Sequence, residues 1–191
     1  EQFAALSAEE RQSMGLRAID LQGEKPVRSA VPKQQPVLEL QNVSLAYKKQ
    51  PVLNNISLKA APGEVIAIVG HNGAGKTTFA RALCGLHREA SGLYLWNGKL
   101  QKPKGRMKRS YMVMQDVNYQ LFAESVEAEC IFGIRHPDTE LAKSTLEALG
   151  LAQFRTRHPN TLSGGQKQRL AAGTSMVCGK ELLVFDEPTG G

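Results

Sequence analysis

The stretch Gly70–Thr78, which reads GHNGAGKTT, constrains this chain more than any other part of the sequence. It directly follows the apolar run Val65–Val69 and precedes a segment with helical spacing, which predicts a strand, a glycine-rich loop and a helix in succession. In such a loop consecutive backbone N–H groups point into one concavity at a helix N-terminus, where the helix dipole favours negative charge. The stretch therefore predicts a loop that holds a nucleoside triphosphate.

Two side chains of this loop are expected to contact the nucleotide in different ways. Lys76 is in register to reach the β- and γ-phosphates, and the Thr77 hydroxyl is placed to ligate Mg²⁺. The nucleotide contacts predicted for the loop are Asn72, Gly73, Ala74, Gly75, Lys76, Thr77 and Thr78.

A second helix end with the same chemistry occurs in the stretch TLSGGQKQRL. Ser163 and the pair Gly164–Gly165 precede a predicted helix that begins near Gln166, which exposes a hydroxyl and unhindered N–H groups. A two-fold dimer would explain why one domain has two helix N-termini that can bind phosphate. Each nucleotide would then lie between the loop of one subunit and the second helix end of its partner.

The stretch LLVFDEPT predicts a third part of the site. Its apolar residues Leu182–Phe185 predict a buried strand that carries two carboxylates to its carboxyl end, where ligands bind in open α/β sheets. Asp186 is expected in the Mg²⁺ shell, and Glu187 is the candidate general base for a water that attacks the γ-phosphate.

Strands alternate with helices along the chain, which predicts an α/β fold with a mainly parallel sheet. Strands are expected in 37–47, 54–60, 62–70, 92–99, 110–115 and 181–188. Helices are expected in 76–86 and 164–178, and a helical pattern broken by Gly133 and Pro137 in 125–152. Residues 1–21 contain a short predicted helix, residues 22–36 predict a proline-containing linker, and the main domain occupies 37–191.

Composition narrows the class of protein. The net charge of +6 is mild. The densest run of basic residues, Lys102–Arg109, is interpreted as a solvated loop face, and contact with an acidic partner is left open. Three widely spaced cysteines suggest neither a zinc site nor a disulfide framework, which favours a reducing cytosol. No apolar stretch approaches the roughly 20 residues that span a bilayer.

Taken together, Gly70–Thr78, Leu162–Gln166 and Leu182–Pro188 resemble the Walker A, signature and Walker B motifs of the ABC ATPase family. The resemblance spans about 37–191. It implies a P-loop NTPase with a mainly parallel sheet core, an antiparallel β subdomain and a helical signature subdomain at about 121–170.

The resemblance also implies roles for further residues. Tyr47 matches the aromatic residue that stacks on adenine, and Gln115 matches the glutamine that touches Mg²⁺ and reports nucleotide state to a membrane partner. The signature residues that clasp the ATP bound to the partner domain are Leu162, Ser163, Gly164, Gly165 and Gln166. The implied Mg²⁺ ligands are Thr77, Gln115 and Asp186, and the implied catalytic residues are Glu187 and Lys76.

A finer resemblance is carried by the stretch QDVNYQLFAESVEAECIFG, which is similar to energy-coupling-factor ATPases of the cobalt and vitamin importer type. It implies that 125–152 docks a transmembrane transporter subunit at the cytoplasmic face of the cell membrane. It also implies a tandem parent protein, in which 1–21 is the tail of a preceding ABC domain and the two domains form a head-to-tail dimer.

The family places an aspartate and a switch histidine after the Walker B motif, beyond Gly191. We therefore expect a C-terminally truncated domain that binds ATP but hydrolyses it poorly on its own. The expected activity of the parent is ATP hydrolysis coupled to import. A soluble ABC ATPase acting on ribosomes or nucleic acid is the alternative, although no nucleic-acid partner is expected. A degenerate regulatory domain is disfavoured because Lys76, Asp186 and Glu187 are intact.

Overall fold

The structure is a computed structural model that describes residues 35–187. The helix expected within 1–21 and nearly all of the linker expected at 22–36 lie outside the described residues. The domain boundaries therefore stay predictions.

An antiparallel sheet forms the first part of the fold. Its strands are β1 (Leu38–Tyr47), β2 (Gln50–Ala60), β3 (Ala90–Trp96) and β4 (Lys99–Leu100), in the order β2-β1-β3-β4. Alternate residues of β1 are buried, as its apolar and polar pattern predicts. The Asn97–Gly98 turn joins β3 to β4, and both of its residues have positive φ angles. This sheet confirms the expected antiparallel part of the fold.

The second sheet is a parallel pair. Strand β5 (Ser110–Val113) lies beside β6 (Leu182–Phe185), with register from Ser110↔Leu182 to Val113↔Phe185. Helix α1 (Lys76–Leu83) packs against both sheets: Phe79 and Leu83 join the core of the antiparallel sheet, and Ala80 joins the core beside β5 and β6. The helix that follows the glycine-rich loop is therefore fixed relative to the ends of β5 and β6.

Four more α-helices follow between residues 84 and 187. They are α2 (Pro103–Arg109), α3 (Val126–Cys130), α4 (Thr139–Ala148) and α5 (Gly164–Val177). The last three surround a buried cluster that runs in sequence from Leu121 to Val177. Within it, burial raises the pKa of the Cys130 thiol to about 11, helped by the charges of Glu127 and Glu129, so Cys130 packs as a neutral group. None of the helices between residues 35 and 187 is long and apolar enough to cross a bilayer.

The prediction of a strand at 62–70 is wrong. The run Val65–Val69 is irregular, and Val65 and Val69 are 95% and 88% exposed. An apolar run is buried as a strand only where neighbouring strands satisfy its backbone and cover its side chains, and within residues 35–187 no strand pairs with it. For the same reason β6 is buried on one face only, since Leu183 and Phe185 are exposed.

The interpretation of Lys102–Arg109 as a loop is also wrong. Pro103 begins α2, and Arg106 on its inner face is only 3% exposed. The Arg106 guanidinium lies 3.7 Å from the centroid of the Tyr94 ring, a cation–π contact that turns one positive charge of the run inward. Lys104 and Lys108 remain exposed.

Candidate functional site

The glycine-rich loop ends at a helix start that only glycine allows. Gly75 is the N-cap of α1 with φ 93° and ψ 13°, in the left-handed region. A Cβ atom added there would lie 2.7 Å from Cγ1 of Val52. The first backbone N–H groups of α1 therefore open into the loop with no side-chain cap, as an anion site at a helix N-terminus requires.

The Lys76 ammonium is held within the loop. Its Nζ donates to the carbonyl oxygens of Gly70 and His71, at 3.0 and 3.3 Å. It also lies 3.3 Å from Oε1 of Glu187, with which it forms an ion pair. The structure therefore brings the two predicted catalytic residues into direct contact.

Thr77 and Asp186 also meet. The Thr77 hydroxyl donates to Oδ1 of Asp186 at 3.1 Å, and Asp186 is only 6% exposed. The Asp186 amide donates to the carbonyl of Val113 at 3.0 Å, which continues the β5–β6 pairing up to the site. A hydroxyl oxygen and a carboxylate oxygen side by side are the hard oxygen donors that Mg²⁺ prefers, so this pair fits the predicted metal role.

Gln115 closes the arrangement from the end of β5. Its side-chain amide donates to Oε2 of Glu187 at 3.0 Å, so the two carboxylate oxygens contact Gln115 and Lys76 respectively. Glu187 has φ 49°, an uncommon backbone for a non-glycine residue that often marks a functional position. The loop, β5 and β6 thus converge on one carboxylate.

The signature residues form a second, separate feature. Ser163 caps α5 with a capping box: its hydroxyl accepts from the Gln166 amide, and its own amide donates to Oε1 of Gln166 at 2.8 Å. Gly164 and Gly165 are exposed. Within residues 35–187 no hydrogen bond or ion pair joins this helix tip to Gly70–Thr78.

Tyr47 lies at the end of β1 and is 56% exposed. Lys48 Nζ lies 5.6 Å from the centroid of its ring. The ring is accessible for stacking, but no hydrogen bond connects Tyr47 to the loop within the described part of the chain.

Two residues that sequence reasoning missed shape the segment after Gln115. The Gln120 side chain accepts from the Met114 amide at 2.9 Å and donates to the carbonyl of Met112 at 3.0 Å. The buried carboxylate of Glu129 accepts from the amides of Phe122 and Ala123, both at 2.7 Å. Neither contact follows a helical or strand period, so no local pattern could have identified them.

Comparisons with known proteins identify relatives of this chain. A putative ABC transporter ATP-binding protein of Treponema denticola is 49% identical over 152 residues, which are 80% of this chain and 31% of the relative. The energy-coupling factor transporter ATP-binding protein EcfA1 of Streptococcus mutans is 38% identical over 166 residues, covering 80% of this chain and 59% of that protein.

Among solved structures, CbiO1 from Clostridium perfringens, described as part of the ABC transporter complex cbiONQ, has a TM-score of 0.70 at 29% identity and covers 83% of this chain and 68% of its own. The chain thus spans under half of the Treponema relative and about two thirds of CbiO1. The likeness confirms the P-loop α/β fold expected from the sequence. The family model described as ABC transporter matches residues 53–190, most of the chain, and the chain therefore belongs to the ABC transporter family.

Proposed function

We propose that this chain is the ATP-binding and ATP-hydrolysing part of an ABC importer of the energy-coupling-factor type. The observation that carries the proposal is the contact of Glu187 with both Lys76 and Gln115, at 3.3 and 3.0 Å. It unites the phosphate-binding loop, the end of β5 and the end of β6 at one carboxylate. The similarity to EcfA1 and to CbiO1 supports the importer type.

In this proposal catalysis depends on positioning and on charge. Lys76 and the N-terminus of α1 stabilise the charge that develops on the phosphates, and Glu187 orients the attacking water. Mg²⁺ would be held by Thr77, Asp186 and Gln115, and when bound it supplies Lewis-acid charge neutralisation at the phosphate oxygens. The Thr77–Asp186 hydrogen bond already holds two of these ligands together.

The exposed tip of α5 supports a head-to-tail arrangement with a second ABC domain. Gly164 and Gly165 offer N–H groups at a helix N-terminus, and both residues are exposed. An added Cβ would meet nothing within 4 Å at Gly164 and only Nη1 of Arg169, at 3.9 Å, at Gly165. We place the second domain in the same parent protein, before residue 22.

Exposed aromatic residues support a transmembrane partner near the segment after Gln115. Tyr119, Phe122 and Phe132 are 74%, 68% and 56% exposed. Exposed aromatic side chains on a folded surface are typical of interfaces. We assign them to the docking surface for the transporter subunit, which puts this chain at the cytoplasmic face of the membrane.

ATPase assays on the full-length parent test the proposal. Glu187→Gln is expected to keep ATP binding and to lower hydrolysis about 100-fold or more, because the amide can no longer accept a proton from water. Glu181→Gln is the matched control. The Glu181 carboxylate contacts Trp96 and Arg109 away from the site, so this variant should hydrolyse ATP at the wild-type rate. Hydrolysis by Glu187→Gln at the wild-type rate would contradict the assignment.

A further inference from the structure

The segment that follows Gln115 is tied to the helix that begins at the signature sequence. Lys167 Nζ on α5 donates to Oδ1 of Asn118 at 2.8 Å. Asn118 is itself fixed, because its backbone amide and its side-chain amide both donate to Oδ1 of Asp116, at 3.0 and 2.8 Å. Asp116 directly follows Gln115, so the contact joins the neighbourhood of the predicted site to α5.

The segment is constrained on both sides of this contact. On one side Gln115 donates to Glu187, and on the other Gln120 is clamped to the backbone of β5. Between them Val117 is buried in a small cluster with Ala171 of α5. One hydrogen bond and one apolar contact therefore link the segment that follows Gln115 to α5.

Lys167 occupies an unusual place for a cation. It lies in the first turn of α5, where the helix dipole disfavours positive charge. Its amide donates to the carbonyl of Ser163, so the residue is part of the turn that carries the exposed tip. A charged donor that contacts a neutral amide oxygen gives a stronger hydrogen bond than a neutral pair would.

We propose that Asn118 and Lys167 are positioning residues that couple the placement of Gln115 and Glu187 to the orientation of the helix tip at Ser163–Gly165. We call the Lys167–Asn118 hydrogen bond the bridge. This inference rests on the proposed function, since the quantity that the bridge controls is ATP hydrolysis shared between two domains. It assigns a role to a side-chain pair that lies outside the Walker A, signature and Walker B motifs.

A double-mutant cycle in the full-length parent tests the bridge. Asn118→Leu removes the acceptor, and Lys167→Met removes the donor while it keeps the alkyl stem. Each single variant is expected to lower kcat about three- to tenfold, and the double variant no further than Asn118→Leu alone, because that variant already lacks the hydrogen bond that Lys167→Met removes. The dissociation constant for ATP should stay unchanged, because neither side chain contacts the loop.

Asn118→Gln is the rescue variant. It keeps an amide oxygen as the acceptor for Lys167 and an amide N–H as the donor for Asp116, so its kcat should lie closer to the wild type than that of Asn118→Leu. Additive losses in the double variant, or a loss in Asn118→Gln equal to that in Asn118→Leu, would overturn the bridge. If the wild-type parent hydrolyses ATP and Asn118→Leu keeps the same kcat, the bridge is overturned and the proposed function stands. A wild-type parent that fails to hydrolyse ATP would overturn the proposed function, and the bridge with it.

Discussion

Two glycines of the phosphate-binding loop have left-handed backbones but differ in their surroundings. Gly73 has φ 84° and nothing within 4 Å of an added Cβ, whereas Gly75 has φ 93° and Val52 Cγ1 at 2.7 Å. The first position demands glycine for its backbone conformation alone. The second also demands it because β2 packs against the helix start.

Alanine substitutions should separate these two causes. Gly73→Ala should lower the free energy of unfolding by about 1 kcal/mol through backbone strain. Gly75→Ala should lower it by about 2–4 kcal/mol, because overpacking against Val52 is added to the strain. Urea denaturation of the chain measures both, and adding Val52→Ala to Gly75→Ala should recover part of the loss. Equal losses for the two glycine variants would contradict this account.

At the scale of elements, α5 combines a structural cap with a proposed binding surface. The Ser163 hydroxyl closes the capping box, and it is also the group proposed to meet a partner's phosphate. A change at Ser163 can therefore act on stability, on hydrolysis or on both.

Two substitutions distinguish these roles. Ser163→Ala removes the cap and should lower the free energy of unfolding by about 1 kcal/mol, while Ser163→Asp keeps a cap acceptor and should keep stability. In the full-length parent Ser163→Asp should nevertheless reduce hydrolysis more than Ser163→Ala, because a carboxylate repels phosphate. Denaturation measures the predicted stabilities, and ATPase assays measure the predicted rates of hydrolysis. A stable Ser163→Asp variant with full hydrolysis would remove Ser163 from the site.

Local patterns predicted most of the elements and placed Lys76, Thr77, Asp186 and Glu187 in the site, whereas Gln115 was implied only by the family resemblance. Alternation predicted β1 and β2, and the loop motif predicted that Lys76 begins a helix. Patterns failed where the outcome depends on distant neighbours. The apolar run Val65–Val69 predicts burial but cannot identify a strand to pair with it. The Asn118–Lys167 contact joins residues far apart in sequence, and so it leaves no periodic signal.

At the scale of the whole molecule, the exposed run Val65–Val69 is an interaction hazard. Within the described residues it presents apolar side chains and unpaired backbone groups together, the combination that promotes edge-to-edge association.

The chain should therefore self-associate and bind an apolar fluorescent dye. Replacing Val65 and Val69 together by threonine, which has nearly the same shape, should reduce both effects, since each added hydroxyl is solvated. Light scattering and dye fluorescence measure them. Leu100→Gln is the control and should change neither, because Leu100 is exposed but its strand is already paired with β3. A chain that stays monomeric and binds no dye would contradict the expectation.

The ion pair between Lys76 and Glu187 gives the site an internal counter-ion. A triphosphate that reaches Lys76 has to compete with this carboxylate, and by winning it frees the oxygen that Glu187 needs to hold water. Under the proposed mechanism the consequence is one of timing: Glu187 becomes free to act as a base only once the phosphate that it helps to cleave has arrived.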